Sequence, residues 1–323
     1  MIGMQCKLKI IRESNMEYVR LGNSGLKVSR ICLGTMSFGT PGVLFPWCIS
    51  YEESEAIVKE CLDNGINFFD TANIYSNGES EEFLGKALKK YAKREEVVIA
   101  TKFSGNMNRD AKVNTYGASR KLIFDEVEKS LKRLGTDYID LYILHSFDEN
   151  TPVEETMEAL NDLVRMGKVR YIGASIMKPW QFAKMQYCAV AYGWSKFISL
   201  HNTHNIFHRD DEKELFPMLE DMKVSLTAYK VLSGGRLSRN ENDQTERAKT
   251  QKLNEIEEEM NARIQKIADA HSCSKADILI AYELSKKPID VVLVGTTKLG
   301  RITDTCKALD IKLSKEEIEE LEK

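Results

Sequence analysis

Eight short apolar runs, each followed by a stretch of helical periodicity, constrain the fold of this 323-residue chain more than any other feature. The runs cover residues 30–35, 66–70, 97–102, 139–145, 171–175, 197–201, 224–229 and 290–295. Their nearly continuous hydrophobicity is typical of parallel strands that are covered on both faces. Eight strands that alternate with helices in one chain predict an α/β fold, a (β/α)8 TIM barrel. The alternative is a doubly wound open sheet.

The segments between these runs predict amphipathic helices. They cover residues 51–64, 79–90, 119–133, 153–166, 179–190, 211–221 and 254–286, with another from about residue 301 and a last one over 314–323. Residues 18–21 and 26–28 flank the turn sequence GNSG, which predicts a β-hairpin that caps the N-terminal mouth of the barrel.

The domain boundaries follow from the same patterns. We expect residues 1–15 to be an N-terminal extension outside the fold, and residues 16–323 to form a single domain. The longest irregular region, residues 237–252, is polar and follows the seventh run. It is interpreted either as a solvated loop or as a lid over the active face.

Charge and cysteine content argue against several classes of partner. The chain has 46 Lys and Arg against 49 Asp and Glu, so we expect neither nucleic acid nor a membrane surface as a partner. The seven cysteines are an odd number without a CxxC pair, which predicts reduced thiols in a cytoplasmic protein. No Cys/His cluster has metal-ligand spacing, so no metal is expected. A homo-oligomer is compatible with all of these features.

Titratable side chains stand at the ends of three consecutive predicted strands. The second run ends in Asp70 and is followed by Tyr75, the third ends in Lys102, and the fourth ends in His145. Alone, each residue would be explained as a cap, a packing residue or a satisfied core residue. Reactive groups of such barrels lie at the C-terminal strand ends, so the four together predict one catalytic site.

The motifs around these residues resemble those of the aldo-keto reductases. INFFDTANIYSNGESEEFLG is similar to the family signature, in which Tyr follows the strand-end Asp by five residues. VVIATKF resembles the family's lysine strand, DYIDLYILHSFD its histidine strand, GKVRYIGAS the next strand, and VLVGTTKLGR the segment at the cofactor phosphate. The resemblance runs from about Met16 to the end of the chain, and it is closest to aryl-alcohol-dehydrogenase-like members.

This resemblance implies reversible reduction of an aldehyde or ketone to an alcohol, with hydride from NADP(H). Tyr75 would donate the proton, and Lys102 would lower the pKa of its phenol. Asp70 would hold Lys102, and His145 would orient and polarise the carbonyl.

The same resemblance implies the cofactor-binding residues, in a chain that has no GxGxxG fingerprint. The implied set is Gly34, Thr35, Met36, Asp70, Ser175, His201, Tyr229, Lys230, Leu232, Gly234, Arg236, Gly295, Thr296, Thr297, Lys298, Arg301, Asp304 and Thr305. Lys298 and Arg301 would take the adenosine phosphate, and Tyr229 would stack on the nicotinamide. Phe38 and Trp47 are the predicted substrate-pocket residues, next to the loop over residues 237–252.

The chain departs from the family pattern where the nicotinamide carboxamide would bind. Ile176 stands at an Asn position and His201 at a Gln position, His204 replaces a common Tyr, and Lys230 follows Tyr229. We expect His201 to titrate near its ordinary pKa of about 6.5, so that acid would disfavour NADP+.

Two other functions are compatible with this sequence. One is an NADPH-binding regulatory protein with slow redox chemistry, which the altered carboxamide site favours. The other is a barrel lyase or isomerase that uses Lys102 as a Schiff-base amine, which would leave Asp70 and Tyr75 without roles.

Overall fold

A closed barrel of eight parallel strands forms the centre of the molecule. The computed structural model describes residues 16–43, 45–104, 112–238 and 253–323. A β-hairpin of β1 (Tyr18–Arg20) and β2 (Lys27–Ser29) precedes the barrel. The barrel strands are β3 (Ile31–Gly34), β4 (Phe68–Asp70), β5 (Val98–Phe103), β6 (Ile139–Leu144), β7 (Val169–Ser175), β8 (Phe197–Thr203), β9 (Ser225–Tyr229) and β10 (Ile289–Val294).

Strand order around the barrel follows the chain, and β10 closes the ring against β3. Every neighbouring pair is parallel, so all eight C-terminal ends lie at one mouth. The predicted (β/α)8 barrel is therefore confirmed, and the open-sheet alternative is wrong.

Helices surround the barrel on its outer side. They are α1 (Tyr51–Asp63), α2 (Glu79–Tyr91), α3 (Arg120–Leu134), α4 (Val153–Arg165), α5 (Pro179–Tyr192), α6 (Leu215–Met222), α7 (Glu255–Ala270), α8 (Lys275–Ser285), α9 (Arg301–Cys306) and α10 (Lys315–Glu322). Side-chain caps fix several helix starts: Ser50 and Glu53 form a capping box at α1, and Ser119 accepts a hydrogen bond from the Leu122 N–H at α3.

Besides a cluster that packs α7 against α8 through Ile264 and Tyr282, the apolar core has two layers, one on each side of the barrel wall. The larger one lies between the outer faces of the strands and the helices, and includes Phe69, Leu160 and Phe182, all fully buried. The second fills the barrel interior, where Phe68 and Leu141 pack in one cluster with Leu21 beside the hairpin. The hairpin therefore caps the barrel interior, as the GNSG turn predicted.

Some element boundaries differ from the expectation. The stretch 254–286 was expected to be one helix, but it is two, because Ser274 caps a new helix three residues after His271 ends the first. Residues 211–221 divide into a short 3₁₀ turn and α6. The extension over residues 1–15 and most of the proposed lid lie outside the described residues.

In the part of the chain that the structure describes, no helix is both long enough and apolar enough to cross a membrane. Across the same residues, no group of three or more His, Cys, Asp or Glu side chains is arranged to hold a metal ion. The cysteines that are described, from Cys32 to Cys306, are free thiols.

Candidate active site

Strand geometry brings three titratable residues to the C-terminal mouth of the barrel. Alternate residues of a strand share a face, so the residue two positions after an interior side chain also faces inward. The interior apolar residues are Phe68, Ala100 and Ile143. Two positions further along the chain lie Asp70, Lys102 and His145. Because β4, β5 and β6 are neighbours in the barrel, these three side chains lie next to one another.

Asp70 and Lys102 form a buried ion pair. The Lys102 ammonium donates to Asp70 Oδ1 and, over 2.9 Å, to the Thr71 carbonyl. The side chains are 1% and 4% exposed. Burial raises the pKa of Asp70, while Lys102 opposes that rise. Burial tends to lower the pKa of Lys102, but Asp70 and Tyr75 together outweigh burial and the pKa is raised, so the lysine stays charged.

Tyr75 lies against this pair, on a 3₁₀ turn that follows β4. The Lys102 Nζ is 5.1 Å from the centroid of the phenol ring, and the His145 ring meets Tyr75 edge-on with centroids 6.1 Å apart. Burial raises the pKa of Tyr75, although Lys102 lowers it in opposition. The expected net lowering by Lys102 is therefore not seen in the free protein, because burial outweighs the single charge.

His145 follows β6 directly, and its backbone N–H donates to the Phe103 carbonyl over 2.9 Å. Its ring atom Nδ1 is buried and has no hydrogen-bond partner among the described residues. Burial lowers the pKa of His145 to about 3, and the nearby Lys102 charge adds to that effect. His145 is therefore a neutral imidazole at physiological pH.

The turn that carries Tyr75 is braced by a loop that the sequence did not single out. Ser76 has a positive φ of 48° and is fully buried. A Cβ at Gly39 would lie 2.1 Å from Ser76 Oγ, so only glycine fits there. Glu79 accepts hydrogen bonds from the Thr40 N–H (2.7 Å) and hydroxyl (3.1 Å). The only sequence signal for this contact was Gly39 in TMSFGTPG. The sequence alone does not show that this glycine packs against Ser76.

Other predicted cofactor residues complete the same mouth. Ser175 ends β7, and its hydroxyl donates to the His201 carbonyl over 3.0 Å. The Thr35 hydroxyl donates to the Asp70 carbonyl over 3.0 Å. Gly34 ends β3, where a Cβ would lie 2.4 Å from Leu293 Cδ2. Met36, which follows Thr35, is 42% exposed.

His201 projects into the mouth from β8, with its side chain 1% exposed. Its Nδ1 atom lies 3.5 Å from Asp70 Oδ2. Burial holds the pKa of His201 well below its ordinary value, and Lys102 and His145 lower it further. The expectation that His201 titrates near 6.5 is therefore wrong, because a desolvated imidazole beside Lys102 resists a second positive charge.

The other departures from the family pattern have structural counterparts. Ile176 keeps a positive φ of 50°, which an Asn would adopt more readily, and is 52% exposed. His204 is fully buried, with Nδ1 2.6 Å from Glu283 and Nε2 3.2 Å from Glu212. Lys230 has a φ of 57°, and its Nζ lies 5.8 Å from the centroid of Tyr229.

The predicted phosphate-binding residues follow β9 and β10. After β9 come Leu232, Gly234 with a φ of 68°, and Arg236, which forms an ion pair with Glu257. After β10, the Lys298 N–H donates to Thr296 Oγ1 over 3.0 Å, and Arg301 begins α9 as an exposed residue. Gly295 and Thr297 precede α9, and Asp304 and Thr305 lie within it. Asp304 forms an ion pair with Lys307 at 2.8 Å, and the Thr305 hydroxyl donates to the Arg301 carbonyl over 2.8 Å.

The two predicted pocket residues have different environments. Phe38 is fully buried in the larger core layer, so it presents no surface to a substrate and is corrected from a pocket residue to a core residue. Trp47 is 39% exposed and stacks on Phe45 with ring centroids 4.6 Å apart.

Comparison with known proteins agrees with this architecture. The Aldo/keto reductase family model matches residues 30–323. The chain is 39% identical to versiconal hemiacetal acetate reductase of Aspergillus parasiticus, over 95% of this chain and 96% of that protein. It is 40% identical to a putative aryl-alcohol dehydrogenase of Schizosaccharomyces pombe, over 94% of each chain. It is 38% identical to a putative aryl-alcohol dehydrogenase of Saccharomyces cerevisiae, over 95% and 96%. The chain therefore belongs to the aldo/keto reductase family, and it is an NAD(P)H-dependent oxidoreductase.

Proposed function

We propose that this enzyme reduces aldehydes or ketones to alcohols with NADPH, and that Tyr75 is the proton donor. The observation that carries the proposal is the buried cluster of Tyr75, Lys102, Asp70 and His145 at the barrel mouth. NADPH supplies the hydride when it is bound. Tyr75 protonates the carbonyl oxygen, and the fixed Lys102 charge stabilises negative charge on the phenol. Neutral His145 donates a hydrogen bond that orients the carbonyl.

The residues of the mouth fit a nicotinamide cofactor. Across the described part of the chain, buried polar atoms without a hydrogen-bond partner include Nε2 of His201 and the hydroxyl of Ser233, next to Gly234 and Gly235. These groups suit an amide and a pyrophosphate. Lys298 and Arg301, at the start of α9, would hold the 2′-phosphate and favour NADPH over NADH.

Aromatic aldehydes are the proposed substrate class. The stacked pair Phe45 and Trp47 offers a planar apolar surface, with Trp47 part-exposed. Relatives at 38–40% identity are named as aryl-alcohol dehydrogenases.

Tyr75→Phe tests the central assignment. We expect the variant to lose at least about a hundredfold in steady-state reduction of an aryl aldehyde, followed by NADPH absorbance, because general acid catalysis contributes about 10²–10⁴-fold. NADPH affinity, measured by fluorescence titration, should stay within about twofold of the parent. A Phe variant that keeps most of its rate contradicts the proposal.

A regulatory NADPH-binding protein is the second candidate, favoured by Ile176 and His201 at the expected carboxamide site. A single turnover of bound NADPH with an aldehyde, compared with steady-state turnover, separates the two. Fast chemistry in both favours the enzyme. A fast single turnover with very slow steady-state turnover favours the regulator.

A further inference from the structure

Two buried polar groups face each other at the barrel mouth without forming a hydrogen bond. Among the residues that the structure describes, neither Asp70 Oδ2 nor either ring nitrogen of His201 has a hydrogen-bond partner. His201 Nδ1 lies 3.5 Å from Asp70 Oδ2, and both side chains are 1% exposed. That separation is just longer than a good hydrogen bond, so a small side-chain rotation closes it. Because buried polar groups are nearly always hydrogen-bonded, the closeness of these two atoms indicates that they form a hydrogen bond.

The protonation states decide which atom donates. Burial raises the pKa of Asp70, but the Lys102 ammonium on Oδ1 opposes that rise and favours the carboxylate, whose Oδ2 can only accept. His201 is neutral, since burial and the nearby Lys102 and His145 hold its pKa well below the ordinary value. A neutral imidazole has one N–H and one acceptor nitrogen. Pairing with Asp70 therefore requires the proton on Nδ1 and leaves Nε2 as an acceptor.

We propose that His201 is a positioning residue for the reaction, whose Nδ1–H donates to Asp70 Oδ2 while Lys102 holds Oδ1. The carboxylate is then fixed at both oxygens, and Lys102 is fixed against Tyr75. The free Nε2 acceptor suits an amide N–H2 group. A Gln at this position could also donate with one atom and accept with another, so His201 keeps both capacities with a different side chain.

The pairing has an electrostatic consequence for the proton donor. The Asp70 carboxylate raises the pKa of Tyr75, in addition to the effect of burial. A donor on Oδ2 draws charge away from that carboxylate and weakens this effect. Loss of the donor should therefore raise the pKa of Tyr75 further. Lys102 and His145 also lie near the pair. The thiol of Cys32 on β3 interacts with Asp70 and Lys102, and Thr227 on β9 pairs with His201 across the sheet.

The first experiment reads the tautomer directly. The full-length protein, labelled with ¹⁵N-histidine, is measured by NMR between about pH 5.5 and 8, and His201→Gln assigns the signals. We expect His201 to be neutral throughout this range, with the proton on Nδ1. An Nε2–H tautomer, or an imidazolium that titrates in this range, overturns the proposal. This measurement does not depend on turnover.

The second experiment, whose meaning rests on the proposed function, uses the pH profile of alcohol oxidation with NADP+. His201→Leu should raise the apparent pKa of the catalytic base by about half a pH unit or more, and His201→Gln should keep the parent value, since an amide N–H can donate to Asp70. Ser199→Ala is the matched control, because its buried hydroxyl lies two residues earlier on the same face of β8. It should change neither the profile nor the tautomer.

The outcomes separate the two proposals. Equal shifts in the Leu and Gln variants, or no shift in either, overturn the role of His201. If the parent protein neither reduces aldehydes nor oxidises alcohols, the proposed function fails, and the NMR result still decides the His201–Asp70 pairing.

Discussion

The Lys102 ammonium contacts the Asp70 carboxylate at a depth where neither side chain is more than 4% exposed. Two neighbouring parallel strands create this contact, because Asp70 pairs with Ala100 in the register and Lys102 lies two residues further on. A charge pair in this position is costly to desolvate, and it persists only because each partner neutralises the other.

Removing one partner should therefore destabilise the protein as well as the site. We expect Lys102→Met to lower the free energy of unfolding by about 3–5 kcal/mol, because it leaves a buried carboxylate without its counter-ion. The double variant Lys102→Met with Asp70→Asn should recover much of that loss. Urea denaturation of the parent, both single variants and the double variant gives the coupling. Strictly additive losses contradict this account of the pair.

The rate of carbonyl reduction should not fall as the pH drops through about 6.5. Burial lowers the pKa of His145 to about 3, so its charge does not change between about pH 5 and 8. Reduction needs protonated Tyr75, whose pKa is raised by burial, so the rate should fall only at strongly alkaline pH. Alcohol oxidation needs the phenolate, so its rate should rise with pH. A kcat/KM profile for reduction that falls below pH 6.5 would contradict a neutral His145 in the reaction.

Cofactor preference should depend on Arg301. This exposed residue begins α9, next to the predicted site for the 2′-phosphate. A hydrogen bond to a charged group contributes about 1.5–3 kcal/mol, so Arg301→Ala should weaken NADPH binding about tenfold to a hundredfold. NADH affinity should barely change. Lys315→Ala, an exposed cation at the start of α10, is the control in the same fluorescence titrations. Equal losses of affinity for NADPH and NADH would show that Arg301 does not bind the 2′-phosphate.

Backbone strain at Ile176 should be relieved by Asn. Ile176 has a φ of 50°, and a β-branched residue in this left-handed region costs about 1–3 kcal/mol. We expect Ile176→Asn to raise the free energy of unfolding by about 1 kcal/mol or more. Lys223→Asn is the matched control, since Lys223 has a φ of 54° but an unbranched side chain, and its gain should be smaller. If Ile176→Asn is neutral or destabilising in urea denaturation, packing of the Ile side chain outweighs the strain.

The sequence by itself determined the architecture and the barrel mouth. Eight apolar runs, each followed by a helical stretch, predict parallel strands that helices cover on both faces, and this pattern is local enough to read directly. The number of runs favoured a closed barrel over an open sheet. Strand periodicity then places Asp70, Lys102 and His145 on the inner face of neighbouring strands. The long segment 254–286 was harder, since helical periodicity continues on either side of Ser274 and the break depends on a cap.

Only the tertiary structure decided the electrostatics of the site. The sequence does not distinguish His201 and His145 from exposed histidines. Their lowered pKa values arise from burial beside Lys102. Phe38 was predicted to form part of an apolar substrate-pocket wall, but it is fully buried in the core. Burial and ion pairing depend on segments that are distant in sequence and meet only in the folded barrel. The periodicity of one strand therefore cannot predict these contacts or the pKa shifts that they cause.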